Sequence, residues 1–248
     1  MRTKSSERRI ALVTGASGGI GSATAKLLAA QDWEIAVHYS SDAKGAAAAL
    51  AGVRAAGSGG RLFKADLLDL KAAEGLVGKV VAAFGRLDLL VNNAGAVLGQ
   101  EPFTELAAAE FERSLRLNLT APFLLAREAF KAMRARGGRI VNISSISAKF
   151  GGSPRSMHYS AAKAGVEALT VGLAREGAPH GILVNTVRCG VLDTPFHGKF
   201  RKDMSARAAL IPLKRLGTAE DAARMIVHLA GTGGDFITGA LLPVTGGE

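Results

Sequence analysis

Cysteine is nearly missing from this chain of 248 residues, with Cys189 its only example. A single thiol cannot close an internal disulfide, so a reducing compartment, the cytoplasm, is expected. Long apolar runs are missing too. None reaches the ~18 residues that a membrane-spanning helix needs, although 48% of residues are hydrophobic and can fill one substantial core. Aromatic residues make up only 5%, which leaves little material for stacking nucleic-acid bases. Acidic residues are outnumbered 21 to 31 by basic ones, for a formal charge of +10. The basic residues are scattered, with one cluster at Arg127, Lys131, Arg134, Arg136 and Arg139, and no nucleic-acid motif accompanies them. Neither nucleic acid nor a membrane is therefore expected as a partner. The first residues are charged and run straight into an apolar strand and glycines, unlike a signal peptide. Residues 1–9 read as a disordered basic arm, and residues 10–248 as a single domain.

Apolar runs of strand length alternate with stretches of good helix formers along that domain. Strands are expected at 10–14, 34–39, 61–65, 87–91, 139–143, 183–187 and 241–244. Helices are expected at 22–30, 42–56, 70–84, 104–118, 122–136, 160–173 and 219–230. Strands alternating with helices imply an α/β fold, a single doubly wound parallel sheet of Rossmann type with helices on both faces. Ligands of such sheets bind beyond the carboxyl ends of the strands.

The polar motifs fall at those ends. The first strand leads into Gly15-Ala16-Ser17-Gly18-Gly19-Ile20-Gly21 and then a helix. Glycines let the main chain approach a pyrophosphate, and the helix N-terminus offers free N–H groups and a favourable dipole. Further along, Tyr159-Ser160-Ala161-Ala162-Lys163 places a phenol and an ammonium four residues apart on one helix face. A nearby cation lowers a phenol pKa from its usual value near 10 and makes it a usable acid or base. The spacing alone is common on solvated helices; its company raises its meaning.

Taken together, Thr14-Gly15-x-x-x-Gly19-x-Gly21, Asn92-Asn93-Ala94-Gly95, Asn118, Ser145 and Tyr159-x-x-x-Lys163 resemble the short-chain dehydrogenase/reductase family over nearly the whole chain. Within it, Arg215-Leu216-Gly217-Thr218 and Ile237-Thr238-Gly239 are similar to the 3-oxoacyl-[acyl-carrier-protein] reductase branch. The resemblance implies a catalytic tetrad of Asn118, Ser145, Tyr159 and Lys163. Tyr159 would give a proton to the carbonyl oxygen while nicotinamide delivers hydride. Ser145 would hold that oxygen, Lys163 would lower the phenol pKa and bind the ribose, and Asn118 would hold a water beside Lys163. Ser144 remains an alternative to Ser145, and Asn118 could instead cap a helix.

For the cofactor the resemblance implies Gly15, Ser17, Gly19, Ile20 and Gly21 at the phosphates, with Asp66 and Leu67 at the adenine. It implies Asn93, Ala94 and Gly95 at its ribose, and Gly190, Leu192 and Thr194 at the nicotinamide. Asp66 could instead cap a helix, and Thr194 could be a turn residue. NADP(H) is favoured over NAD(H), because Tyr39, Ser40 and Ser41 stand where an NAD enzyme needs a carboxylate. Lys44 could add charge there. No metal is implied. The expected activity is reduction of a small-molecule or carrier-bound carbonyl, such as a 3-oxoacyl thioester. An acyl carrier protein is a candidate partner for the basic cluster around Lys131. The alternatives are an NAD-dependent alcohol or sugar dehydrogenase and a nucleotide-binding relative without catalysis. A homotetramer is implied through the helices containing Arg127 and Val171. The chain departs from the family pattern at Arg188-Cys189-Gly190 and at Thr245.

Overall fold

The computed structural model describes residues 8–196 and 204–248. Seven strands form one parallel sheet: β1 Arg9–Val13, β2 Trp33–Tyr39, β3 Gly60–Lys64, β4 Leu89–Asn92, β5 Gly138–Ser145, β6 Ile182–Cys189 and β9 Leu241–Val244. Their order across the sheet is β3-β2-β1-β4-β5-β6-β9. Two-residue strands β7 (Leu192–Asp193) and β8 (Gly217–Thr218) pair with each other beyond its edge. The order reverses between β1 and β4, which opens a crevice at their carboxyl ends.

Side chains alternate across each strand, and the two faces have separate cores. Ala11, Val13, Ile35, Val37, Leu89 and Val91 enter the core covered by α1 (Gly19–Ala29), α2 (Ala43–Ala55) and α9 (Ala219–Ala230). Ile10, Leu12, Ala36 and Leu90 enter the core beneath α3 (Leu70–Phe84) and α5 (Ala121–Met133). Both faces being buried explains why the strands read as continuous apolar runs rather than alternating ones.

The remaining helices are α4 (Ala108–Leu115), α6 (Ser147–Phe150), α7 (Met157–Gly177) and α8 (Met204–Leu210). Several expectations change here. The helix expected at 104–118 starts later and does not end: α4 continues through one π turn, Arg116–Thr120, into α5. Pro122 does not stop it: it follows directly on the π turn, where the hydrogen-bond register shifts and the missing N–H is accommodated. The Tyr159 helix runs three residues earlier and four later than expected. Arg9, assigned to the arm, is in β1 with its guanidinium 4.1 Å from the centre of the Trp33 ring. Arg8 precedes the strand, and residues 1–7 of the arm lie outside the described residues. By contrast α9 has its expected bounds, set by a capping box in which Thr218 and Asp221 bond each other's main chain. No helix among the described residues is long and apolar enough to cross a membrane.

Candidate active site

The glycine loop follows β1 and crosses the crevice. Gly15 and Gly19 have φ of +61 and +52, conformations that L side chains rarely adopt. A Cβ on Gly15 would lie 2.9 Å from Ala94 Cα, and one on Gly21 2.5 Å from Gly15 O. Helix α1 then begins with no side-chain cap and no acidic residue in its first turn. Its leading N–H groups are left for an anion, and the dipole favours one. The loop is locked to β4 by Thr14 and Asn93. The Thr14 hydroxyl donates to Val91 O and accepts the N–H groups of Asn93 and Ala94, while Asn93 Nδ2 donates to Thr14 O and Gly15 O.

Around this cradle stand the other cofactor candidates. Asp66, just past β3, accepts from Leu68 N–H through one oxygen only, and the cap of α3 is Asp69 instead. Leu67 is buried beside it. At the end of β2, Tyr39 is half-buried and Ser40, Ser41 and Lys44 are exposed. The nearest acidic group, Asp42, is engaged in capping α2 through Gly45 N–H at 2.9 Å. Thr194 faces the loop from the other side, 3.6 Å from where a Gly19 Cβ would be. Leu192 anchors its strand in the core, and Gly190 packs on Thr245, where a Cβ would come within 2.7 Å. A cradle of missing Cβ atoms and free N–H groups at the start of α1 fits the phosphates of a dinucleotide.

Helix α7 lays Tyr159, Lys163, Glu167 and Thr170 against the sheet, one stripe of polar groups where a core stripe would be apolar. Ser145, at the end of β5, lies near enough to the Tyr159 phenol to oppose the rise of its pKa. Its oxygen accepts the N–H and hydroxyl of Ser147, at 3.2 and 3.0 Å, which leaves its own hydrogen for a bound ligand. Ser144 faces the other way and donates to Glu167 at 2.7 Å. Of the two serines left open by sequence, Ser145 is the one at the phenol.

Lys163 is buried and donates to Ile143 O at 2.8 Å. Burial draws its pKa down to about 8, against a smaller opposing effect of Cys189. Burial also pushes the Tyr159 phenol well above its ordinary value, with Cys189 adding and Ser145 opposing. The ammonium lies 5.7 Å from the phenol ring centre, yet desolvation outweighs it. The expected lowering of the phenol by Lys163 is thus absent from the chain by itself, and Tyr159 holds its proton.

Asn118 is fully buried in the π turn, not at a helix end. Its Nδ2 donates to Ala96 O and Ser114 O, and its Oδ1 accepts from Ala96 N–H. Gly95 separates it from Lys163: a Cβ there would be 2.8 Å from Asn118 Oδ1 and 3.3 Å from Lys163 Nζ. Two residues before Tyr159 escaped the sequence reading. His158 donates from Nε2 to Leu98 O, and Arg155 donates to Gln100 O, so the loop after Gly95 is fastened to the start of α7. The ring of Phe196 stands 6.0 Å from that of Tyr159. The basic cluster lies elsewhere and is largely neutralised: Arg127 pairs with Glu74 and Glu128, Lys131 with Glu128, and Arg139 with Asp235.

Comparison with known proteins adds three findings. The family model described as enoyl-(acyl carrier protein) reductase matches residues 15–248. The chain is 40% identical over 241 residues to cis-4-hydroxycyclohexanecarboxylate dehydrogenase of Sinomonas cyclohexanicum, covering 96% of each. It is 35% identical to an acetoacetyl-CoA reductase of Allochromatium vinosum, over 96% of this chain and 98% of that one. Among solved structures, a blue fluorescent protein from a metagenomic library, in complex with NADPH, superposes with a TM-score of 0.90 at 35% identity, over 96% of this chain and 97% of that one.

Proposed function

The chain belongs to the short-chain dehydrogenase/reductase family, and from that premise we propose that it reduces a ketone or 3-oxoacyl thioester with NADP(H), through Asn118, Ser145, Tyr159 and Lys163. It is an oxidoreductase of alcohol and carbonyl substrates that uses a nicotinamide cofactor; substrate, cofactor preference and residue roles are the proposal. The observation that carries it is the Tyr159 phenol, kept protonated by burial, with Ser145 near it and the Lys163 ammonium 5.7 Å from its ring centre and close to Gly95. A group that holds its proton suits reduction, where a carbonyl oxygen needs an acid as negative charge grows on it.

When bound, the cofactor supplies the hydride, chemistry that no side chain provides. The residues of the chain do the rest. Gly15 to Gly21 and the start of α1 hold the phosphates. Ser145 and Tyr159 both direct hydrogens to one point, where a carbonyl oxygen would receive them and its developing charge would be stabilised. Tyr159 releases its proton to that oxygen. Lys163, tied to Ile143 O, orients the ribose side of the cradle and supplies positive charge as the phenol becomes phenolate. Asn118 holds Ala96 and keeps the Gly95 turn open beside Lys163.

NADP(H) is supported by Ser40, Ser41 and Lys44, exposed at the end of β2, and by the NADPH held in the similar metagenomic protein. A 3-oxoacyl thioester is supported by the likeness to acetoacetyl-CoA reductase, and a cyclic ketone by the likeness to cis-4-hydroxycyclohexanecarboxylate dehydrogenase. Assembly through α5 and α7 into a homotetramer belongs to the same reading. The test is a panel of 3-oxoacyl thioesters and cyclic ketones with NADPH or NADH, read as loss of reduced-nicotinamide absorbance. Turnover of neither class with either cofactor would refute the reading.

A further inference from the structure

His38 is buried in β2, one residue before Tyr39, and the chemistry above makes no use of it. It nevertheless bonds the glycine loop twice. Its carbonyl accepts Ala16 N–H at 2.8 Å, and its Nδ1 accepts Gly15 N–H at 3.0 Å. On the other side of the ring, Nε2 lies 3.1 Å from Ala65 O. A carbonyl only accepts, so Nε2 carries the hydrogen; a main-chain N–H only donates, so Nδ1 carries none. Both neighbours therefore demand the same neutral tautomer. A proton on Nδ1 would set two donors head to head and leave Gly15 N–H without a partner.

The two bonded sites are the two halves of the cofactor cradle. Gly15 opens the phosphate loop, and Ala65 directly precedes Asp66 on the adenine side. We propose that His38, as the neutral Nε2–H tautomer, is a positioning residue for the nicotinamide cofactor, fixing the glycine loop and the end of β3 in one frame. The inference rests on the cofactor reading of the glycine loop given above. The surroundings keep the ring in that state. Burial pushes its pKa down to about 4, with the Ala65 carbonyl and the Asp66 carboxylate opposing. Residues 10–21 and 89–95 contain no charged side chain. Helix α3, which covers this face, turns Ala73, Leu76, Val77 and Val80 inward and leaves Lys71 and Glu74 exposed.

Two variants separate the bonds. An asparagine amide reaches about as far as Nδ1, so His38→Asn keeps an acceptor for Gly15; a glutamine amide reaches toward Nε2, so His38→Gln keeps the donor to Ala65 and loses that acceptor. The dissociation constants of NADPH and NADH are measured by fluorescence from neutral pH down to pH 4, with circular dichroism to confirm folding. Nitrogen-15 spectra of the wild-type imidazole give the tautomer. The expected result is an Nε2–H ring at pH 7. His38→Gln should bind the better cofactor about tenfold more weakly at neutral pH, the scale of one unpaired buried N–H. His38→Asn, which keeps Gly15 paired but frees Ala65 O, should lose less affinity at pH 7 than His38→Gln, and less than the wild type loses as pH falls toward 4. If His38→Gln does not fold, the pH profile of His38→Asn against the wild type still decides. An Nδ1–H or charged ring at pH 7, or variants that match the wild type in affinity and pH profile, would overturn the role of His38. A wild type that binds neither cofactor would instead overturn the cofactor reading itself.

Discussion

Arg188 holds Glu167 at two points, Nε to Oε1 at 2.8 Å and Nη2 to Oε2 at 2.7 Å. Ser144 adds a third bond to the same carboxylate. The pair joins β5, β6 and α7 one residue, or one helical turn, from Ser145, Cys189 and Lys163. It also explains why Arg188 does not activate the neighbouring thiol: the guanidinium is committed to α7, while Cys189 packs in the core on the opposite face of the sheet. Removing one partner of this part-buried pair leaves the other charge without its match. Glu167→Ala should therefore lower stability by about 2 kcal/mol, the scale of hydrogen bonds to a charged group, whereas Glu167→Leu combined with Arg188→Met should recover most of that loss. Urea unfolding of the two variants checks this, and equal losses in both would show that the pair itself, not the stranded charge, carries the stability.

Tyr159→Phe removes the phenol hydrogen and leaves the ring beside Phe196. NADPH binding should stay near normal while kcat falls by at least the ~100-fold typical of losing a general acid. Steady-state turnover with a responsive ketone, beside a fluorescence titration of the cofactor, measures both. Retained turnover would remove Tyr159 from the reaction.

Lys163 is predicted to cost stability for the sake of function. Its folded pKa is about 8 against an ordinary 10.5. Between these values the unfolded chain holds more protons than the folded one, so stability rises with pH from about 8 to 10.5 and is lower below pH 8. The penalty at neutral pH is on the order of 3 kcal/mol. Lys163→Met should thus melt at or above the wild-type temperature at pH 7 while losing activity. Calorimetry at pH 7 and pH 10 tests it: a clear drop in melting temperature at pH 7 would contradict the burial argument.

Sequence sufficed for placement. The shared face of Tyr159 and Lys163 was legible because helical spacing dictates it, and the turn of the glycine loop because Gly15 and Gly19 adopt a backbone that favours glycine. The alternation of buried strands and helices gave the sheet for the same reason: each is a local consequence of chain geometry. The supporting residues were not legible. His38, His158 and Glu167 act through partners 21 to 60 positions away, and nothing local marks them. The π turn at Asn118 was missed because its sequence reads as ordinary helix. The lowering of the Tyr159 pKa failed as an expectation because spacing reports the distance to a charge, not the burial that opposes it.

Cofactor preference is expected to turn on Tyr39. The end of β2 presents two hydroxyls and a lysine, and the carboxylate that follows them, Asp42, is committed to the cap of α2. NADPH should give the higher kcat/KM. Tyr39→Asp would place an acceptor where a ribose hydroxyl binds and a 2′-phosphate is repelled. The ratio of kcat/KM for NADPH over NADH should then fall by about tenfold or more, as one added charge contact can do. An unchanged ratio would move phosphate recognition away from this corner.

Cys189, the only thiol, ends β6 within the electrostatic reach of both Tyr159 and Lys163. Burial pushes it up to about 12, with Lys163 pulling the other way. At pH 8 only about one thiol in ten thousand is then ionised, and the thiolate is the reactive form. Iodoacetamide should accordingly modify it on the order of a thousandfold more slowly than a free cysteine at that pH. Among the described residues its Sγ meets no acceptor nearer than Val187 O at 4.0 Å, and the side chain behaves as a small apolar group in the core. Cys189→Ala should therefore keep kcat within about threefold of the wild type, as a modest loss of packing allows. An alkyl group forced onto Cys189 must press on Leu192, which shares its buried core, and so on the segment that runs from there to Thr194. Modification should inactivate in step with labelling, measured by intact mass, and bound NADPH should slow both. Loss of turnover in Cys189→Ala with cofactor binding intact would give the thiol a chemical role, and full labelling with unchanged turnover would place it clear of the reacting groups.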